Sequence, residues 1–211
     1  ADGYCAARPA VRERVRARLS RVLERPVAAD SPLVGAVFRS FGRYILEWLL
    51  ADRLGGRLHV EGLDRLSLII PPGRAAIVLT GHLGNWELGA AQLGRAGLQV
   101  TVVALPHEDA GITRLYDAQR RRHGLEVVPL DQDAGQRCLQ ALRQGRIVGL
   151  VGDRDFGHNG LTLPFFGEPT LLPRGPAVLS CRSGAPVVPM FLIREGPWRF
   201  RFFVEPPIHP R

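Results

Sequence analysis

Two titratable side chains, His82 and Glu87, stand where an apolar stretch gives way to a helical pattern. Residues 75–80 form the apolar stretch, and Gly81 and Gly84 flank the histidine, so the chain can bend sharply there. Side chains in a turn at the end of a parallel strand are rigidly held yet open to a ligand. A histidine in such a turn, oriented by a carboxylate, has the chemistry of a general base.

The spacing of these two groups limits how they can meet. Five positions along a continuous helix correspond to a rotation of about 140°, so His82 and Glu87 would not share a helix face. They can pair only if His82 lies in the turn and Glu87 in the first turn of the following helix. The alternative is purely structural: a histidine near the helix cap, and a glutamate that the helix dipole stabilises.

A second polar cluster, Asp153-Arg154-Asp155, follows another apolar stretch. If both strands run parallel, this cluster lies at the same edge of the sheet as His82. Two aspartates around an arginine are compatible with a salt-bridged turn, or with an Arg154 held planar for an anionic ligand. They are also compatible with a divalent cation, although two carboxylates without a third ligand are a weak metal signal.

Residues 163–169 are apolar and contain two prolines. We predict a loop here, because prolines exclude an interior strand. Phe165 and Phe166 suit an apolar substrate beside the site, and buried packing is the alternative use of such side chains.

The amino-acid composition limits which partners and which cellular setting are plausible for the protein. The chain has 211 residues and a net charge of +8, and all 28 of its basic residues are arginine. Guanidinium groups suit phosphate and carboxylate, so nucleic acid, anionic lipid or an acidic substrate carrier are candidate partners. No nucleic-acid-binding signature accompanies the arginines, which disfavours nucleic acid. The three cysteines lack metal-ligand spacing, which favours reduced thiols in a cytosolic setting, and no apolar run is long enough to span a bilayer.

The N-terminal quarter of the chain predicts two amphipathic helices, over residues 9–24 and from Ser31 to about Asp52. The second helix carries a wide apolar band: Val34, Val37, Phe38, Phe41, Tyr44, Ile45, Trp48 and Leu49. Packing against a sheet accounts for this band. The alternative is that part of it lies in a membrane interface, with Arg39 and Arg43 at the headgroups.

From residue 58 onward, short apolar runs alternate with helical segments. The predicted strands are 58–61, 75–80, 100–105, 125–129, 147–152, 187–193 and 200–204, and the predicted helices are 85–96, 111–123, 133–144 and 173–183. Glycines at 97, 124, 145 and 184 end these helices. The alternation predicts a layered α/β/α fold with a mostly parallel central sheet over residues 55–211, preceded by N-terminal helices over residues 1–54.

Four blocks in this order resemble the lysophospholipid acyltransferase superfamily. They are the stretch from Gly81 to Glu87, Arg120 in an arginine-rich helix end, Gly152-Asp153-Arg154-Asp155, and Pro164-Phe165-Phe166-Gly167. The chain is most similar to the branch of bacterial lipid A lauroyl/myristoyl acyltransferases and to phosphatidylinositol mannoside acyltransferases, over about residues 33–208. The resemblance implies a glycerolipid acyltransferase-like fold. It also implies transfer of a fatty acyl chain from coenzyme A or acyl carrier protein to a hydroxyl of a membrane lipid.

The same resemblance implies functions for individual residues. His82 matches the family's base, Glu87 its acidic partner, and Arg120 an arginine used for a phosphate-bearing substrate. The turn at residues 153–155 corresponds to an Asp-x-Asp-like block near the acceptor. Its central arginine stands where lipid A enzymes commonly have glutamine, so we expect a different acceptor headgroup. Glu168 is a second candidate for orienting His82 or binding the acceptor.

The chemistry agrees with these residue types, since a hydroxyl needs a base to attack a thioester at neutral pH. We expect no cofactor and no metal. The expected location is peripheral, at the cytoplasmic face of the bacterial inner membrane, with the anionic lipid surface as a partner. Two alternatives remain at this point: a non-catalytic protein that binds lipid or acyl carrier protein, and an acyl thioesterase on the same fold.

Overall fold

The computed structural model describes residues 1–54, 58–71 and 73–210. The strands are β1 (His59–Glu61), β2 (Ala76–Thr80), β3 (Val100–Ala104), β4 (Leu125–Pro129), β5 (Ile147–Val151), β6 (Leu161–Phe165), β7 (Glu168–Leu172), β8 (Val187–Gly196) and β9 (Arg199–Val204). The helices are α1 (Asp2–Ala7), α2 (Pro9–Val22), α3 (Pro32–Leu54), α4 (Asp64–Ile69), α5 (Trp86–Arg95), α6 (Ala110–Arg122), α7 (Ala134–Arg143) and α8 (Gly175–Ser183).

Seven of the strands form one central sheet in the order β1-β9-β8-β2-β5-β3-β4. Strands β8, β2, β5, β3 and β4 run parallel to one another, whereas β9 returns antiparallel beside β8, and β1 is parallel to β9. The predicted mixed α/β fold with a mostly parallel sheet is therefore confirmed. Every strand and helix predicted between residues 58 and 204 is present, apart from shifts at the ends.

Helices cover both faces of the sheet. Successive side chains along the buried strands point to opposite faces, so there is one hydrophobic core on each side of the sheet. On β2, Ala76 and Val78 point to the core that includes Leu88 and Leu93 of α5, while Ile77 points to the other. That second core contains Cys138 of α7 and side chains of α8. This alternation is what a strand buried on both faces requires, because successive side chains point to opposite sides. The layers place the carboxyl ends of β2 and β5 side by side.

The long helix α3 divides the apolar band that the sequence shows. Tyr44 and Trp48 are buried against the body of the protein, whereas Phe41 is 60% exposed and Val37 is 39% exposed. Only part of this apolar band therefore packs into the core, and the rest is exposed. In the part of the chain that the structure describes, no helix is both long and apolar enough to cross a membrane. The division at residue 54 stays a prediction.

The prediction that residues 163–169 form a loop is wrong. Strands β6 and β7 form an antiparallel hairpin that is separate from the central sheet. Pro164 and Pro169 face each other across it, and the turn at Phe166 and Gly167 uses positive φ angles of 49° and 72°. Prolines do exclude an interior strand, but a two-stranded hairpin tolerates them because its outer edges need no hydrogen-bond partner.

Candidate active site

The turn that carries His82 is fixed to the neighbouring strand and helix. The backbone N–H of Asn85 donates to the carbonyl of Leu192 in β8 at 2.8 Å. The Asn85 side chain, only 1% exposed, accepts from the N–H of Leu88 and so caps α5. Its amide nitrogen donates to the carbonyl of Tyr44 at 3.2 Å. These bonds hold the turn on three sides, so the position of His82 does not depend on side-chain packing alone.

His82 pairs with Asp153, at the ends of two adjacent parallel strands. The register sets Thr80 of β2 opposite Val151 of β5, so the residues two positions beyond each strand meet. The ring Nδ1 of His82 lies 2.7 Å from one carboxylate oxygen of Asp153, and the His82 backbone N–H donates to the other at 2.8 Å. The side chains are 37% and 34% exposed, so the pair is accessible from solvent.

This geometry selects one form of the imidazole ring. An ionised carboxylate only accepts hydrogen bonds, so in the neutral ring Nδ1 carries the proton and Nε2 is left with a lone pair. Burial raises the pKa of Asp153, but the hydrogen bonds from the ring and backbone of His82 outweigh that effect and hold the pKa below its ordinary value. A lowered pKa means that the carboxylate contributes stability above the ordinary aspartate range, and that this contribution is lost as the pH falls through the folded-state value.

The predicted pairing of His82 with Glu87 is wrong. Glu87 is the second residue of α5, where its side chain is directed to α6, and it binds Arg120 there. The Arg120 Nε donates to Glu87 at 3.1 Å, a second guanidinium nitrogen donates to the other oxygen, and a third donates to Asp117 at 3.2 Å. Burial lowers the pKa of Arg120, but the bonds and charge of Glu87 outweigh it and leave the pKa raised. Glu87 therefore fixes α5 to α6.

Arg120 has little surface left for a ligand, since its side chain is 11% exposed and two carboxylates bind it. The guanidinium also lies 5.5 Å from the centre of the Tyr116 ring. Its use for a phosphate-bearing substrate stays a prediction, and the observed contacts are those of a buried ion pair between two helices.

The turn after β5 separates its two aspartates. Asp155 accepts the backbone N–H groups of Gly157 and Gly160, at 3.2 and 2.9 Å, and so closes the loop before the hairpin. Neither aspartate pairs with Arg154 among the described residues, so the prediction of a salt-bridged turn is wrong, and the aspartates do not hold the guanidinium. The use of Arg154 for an anionic ligand stays a prediction. Arg154 is exposed, with its guanidinium carbon 4.8 Å from the centre of the Phe156 ring.

The remaining predicted substrate residues lie on the hairpin. Phe165 and Phe166 are 46% and 56% exposed and contact each other edge to face at 4.7 Å, so the alternative of buried packing is wrong. Glu168 lies 3.8 Å from Arg21 of α2. The acidic side chain that orients His82 is Asp153, and the suggestion that Glu168 orients His82 is therefore also wrong.

A row of aromatic rings joins His82 to the surface of α3. The rings of His82 and Trp86 meet edge to face, with their centres 4.8 Å apart. The Tyr44 ring lies 4.4 Å from that of Trp86, and the exposed Phe41 stacks on Tyr44 at 5.7 Å. In the sequence, Tyr44 and Phe41 are recognisable only as members of an apolar band, and nothing in their spacing connects them with His82. The capping function of Asn85 is predictable from the sequence, because asparagine immediately before a helical pattern is a preferred cap.

One cavity lies away from these residues. It has a volume of about 330 Å³ and sits at the amino-terminal edge of the parallel strands, lined by residues that include Arg74, Gln99 and Gln144. Ligands of open α/β sheets bind at the opposite, carboxyl edge, where His82 and Asp153 lie. The chemistry of the side chains, and not the depth of the cavity, therefore locates the site.

Replacing Gly84 by alanine is expected to destabilise the protein strongly. Gly84 has φ of +69°, and an added Cβ would overlap the carbonyl oxygen of Leu192. The positive φ costs about 1–2 kcal/mol for a residue with a side chain, and the overlap brings the total to roughly 3 kcal/mol or more. Gly97→Ala is the matched control, because Gly97 has φ of +81° with open space around the added atom. Equal losses in urea unfolding for the two variants would contradict the contact with Leu192.

Glu87→Gln is expected to destabilise the protein by about 3–5 kcal/mol, because it leaves the buried Arg120 without its main counter-ion. Urea unfolding measures the effect. Asp117→Asn is the control: Asp117 makes one bond to Arg120 and its side chain is 21% exposed. A small effect of both substitutions would show that the ion pair does not hold α5 against α6.

Comparison with known proteins shows which family the chain belongs to. The chain is similar to phosphatidylinositol mannoside acyltransferases from two strains of Mycobacterium tuberculosis, at 33% identity over 208 residues, which covers 90% of this chain. It is also similar to the phosphatidylinositol mannoside acyltransferase of Mycolicibacterium smegmatis, at 32% identity over 213 residues, covering 95% of this chain and 69% of that protein. The chain spans 64% of the length of the Mycobacterium tuberculosis relatives. Residues 3–210 match the model of the family described as bacterial lipid A biosynthesis acyltransferase, and the chain belongs to that family.

Proposed function

We propose that this chain transfers a fatty acyl group from an acyl thioester to a hydroxyl of a membrane glycolipid or phospholipid. The observation that carries the proposal is the His82–Asp153 pair, which in the neutral ring directs the proton to Nδ1 and leaves Nε2 free to accept one, at the carboxyl edge of the sheet. Family membership and the names of the relatives support the reaction class. Those names also favour a mannosylated phosphatidylinositol as the acceptor.

In the proposed mechanism, Nε2 of His82 takes the proton of the lipid hydroxyl while the oxygen attacks the thioester carbonyl. Asp153 stabilises the imidazolium that forms and keeps the ring in its orientation. The C–S bond then breaks, the acyl group stays on the lipid oxygen, and the imidazolium returns its proton to the leaving thiolate. The steps balance without a metal or a redox cofactor, and we propose that none takes part.

The tetrahedral intermediate needs hydrogen-bond donors for its oxyanion. We assign this function to the start of α5, where the first backbone N–H groups of a helix have no intrahelical acceptor and the dipole favours negative charge. The side-chain oxygen of Asn85 already accepts the backbone N–H of Leu88. We therefore assign the backbone N–H groups of Trp86 and Glu87 to the oxyanion.

The proposed donor is acyl-coenzyme A or acyl carrier protein, both of which present the thioester on a phosphate-bearing arm. Arg154 is suited to a phosphate of donor or acceptor, since it is exposed and adjoins Asp153 without an ion pair among the described residues. Arg120 is less suited, because Glu87 and Asp117 already bind it. We place the protein peripherally at the cytoplasmic face of the bacterial inner membrane, where both substrates meet.

Incubation of the protein with a mycobacterial lipid extract and labelled acyl thioesters, followed by mass spectrometry, tests the proposal. The expected product is a lipid whose mass has increased by one acyl group, and the product should be absent with His82→Gln. A free fatty acid as the sole product would instead indicate a thioesterase. Binding of acyl chains without turnover would indicate a non-catalytic binding protein.

A further inference from the structure

The β6–β7 hairpin exposes apolar side chains along its length. Five large apolar residues between 38% and 56% exposed lie on it: Leu161, Leu163, Phe165, Phe166 and Leu171. An isolated two-stranded hairpin is marginally stable in water, and such a cluster is usual on a surface that another phase or molecule covers. At about 3.4 Å per residue, its five-residue strands reach roughly 17 Å. The two phenylalanines are at the tip.

The edges of the hairpin disfavour pairing with another strand. Pro164 lies opposite Pro169, and neither residue has a backbone N–H to donate. Since prolines on both strands interrupt the outward rows of donors, the hairpin is protected against strand addition. A second copy of the chain is also disfavoured, because two molecules with a net charge of +8 repel each other.

A row of arginines on α2 reaches the tip of the hairpin at one end, through Arg21. Arg14, Arg18 and Arg21 are spaced four and three residues apart on α2, which puts them on one face of the helix, and all three are exposed. We call this row the arginine stripe. Arg21 lies 3.8 Å from Glu168 of the hairpin, while Arg14 and Arg18 have no ion pair among the described residues. Like charges at this spacing destabilise a helix unless an anionic partner neutralises them.

The hairpin is attached directly to the candidate active site. Asp155 accepts the backbone N–H of Gly160 at 2.9 Å, which ties the base of β6 to the turn that begins at Asp153. The base of the hairpin therefore adjoins the turn that carries Asp153, and the tip lies up to roughly 17 Å from that base.

From these observations we propose that the β6–β7 hairpin and the arginine stripe form a docking surface for an anionic bilayer, with Phe165 and Phe166 inserted below the headgroups. This inference rests on the proposed function for its purpose, because it names the surface that supplies the lipid acceptor. An apolar tip beside a basic helix matches a bilayer, whose interior is apolar and whose headgroups carry phosphate. An acidic protein would match the arginines, but the projecting phenylalanines would also require an apolar pocket in that protein.

Flotation with vesicles tests the proposal without any need for turnover. The vesicles contain phosphatidylcholine alone, or phosphatidylcholine and phosphatidylglycerol in equal parts. We expect the full chain to bind the second kind more tightly, and added salt to weaken that binding. Phe165→Thr combined with Phe166→Asn is expected to lower the binding constant at least about tenfold, since two apolar anchors are lost. Asparagine suits the positive φ at position 166, so the turn is retained.

Two further variants separate the contributions. Phe203→Thr is the matched control, because Phe203 is a 44% exposed phenylalanine on β9 and lies outside the hairpin; it should bind as the unaltered chain does. Arg14→Gln with Arg18→Gln is expected to weaken binding about tenfold on the anionic vesicles and to leave binding to phosphatidylcholine unchanged. As a check that does not depend on these substitutions, Phe165→Trp should show tryptophan fluorescence that brominated acyl chains quench more than in the parent chain.

Three results would overturn the inference: unchanged binding of the hairpin variant, an equal loss with Phe203→Thr, or binding to purified acyl carrier protein with none to vesicles. The His82→Gln variant separates this inference from the proposed function. Binding of that variant to vesicles, together with failure of the unaltered chain to transfer acyl groups, would contradict only the proposed function. Acyl transfer without hairpin-dependent vesicle binding would contradict only the docking surface.

Discussion

His82→Gln is expected to lower the rate of acyl transfer by about 10²–10⁴-fold, because general-base assistance is worth that much. Glutamine can still donate a hydrogen bond to Asp153, so the turn between β2 and α5 should be retained. The substitution removes the basic nitrogen that would accept the proton of the lipid hydroxyl. Initial rates with a labelled acyl thioester and the acylated lipid as the readout measure the effect.

A second histidine provides the control for this experiment. His209 is exposed near the end of the chain, away from the carboxyl edge of β2. His209→Gln should transfer acyl groups at the rate of the unaltered chain, and urea unfolding should show that both variants are folded. A folded His82→Gln variant with full activity would remove His82 from the mechanism.

Asp153→Asn is expected to cost a similar factor, up to about 10⁴-fold, as replacement of the acid in a Ser-His-Asp triad does. Both carboxylate oxygens of Asp153 accept bonds from His82, one from the ring and one from the backbone N–H. Asparagine has a single acceptor oxygen. If that oxygen accepts the backbone N–H, the amide NH₂ faces the ring and stabilises the wrong tautomer, in which Nε2 carries the proton.

Asp155→Asn is the matched control for charge. It removes the same negative charge two residues away, where the carboxylate accepts backbone N–H groups and does not contact the ring. We expect a much smaller loss of the transfer rate for this variant than for Asp153→Asn. Similar losses would mean that net charge near the site, and not the orientation of His82, determines the rate.

The fold was largely predictable from the sequence because its signals are local. Apolar runs ending in turns and glycines closing the helices each depend on a few neighbouring residues. The order of strands in the sheet is not local, and the pairing of the site depends on it. His82 and Asp153 each stand two positions beyond a strand, but only the adjacency of β2 and β5 brings them together.

The expectation for Glu87 was incorrect for a related reason. Its place in the first turn of a helix is predictable, but its direction is set by where α6 packs, and α6 supplies the arginine that binds it. The hairpin is not predictable from these residues alone, because two prolines within seven positions favour a loop. Their opposition across two short strands depends on a turn with positive φ at Phe166, a conformation that this residue type rarely adopts.

The protonation of the His82 ring tests the central claim most directly. Long-range ¹H–¹⁵N NMR spectra distinguish the two neutral tautomers, and comparison with His82→Gln assigns the signals among the six histidines. For neutral His82 we expect a protonated Nδ1 and an unprotonated Nε2, and a change toward the opposite tautomer in Asp153→Asn. A neutral ring protonated on Nε2 in the unaltered protein would contradict the assignment of His82 as the base oriented by Asp153.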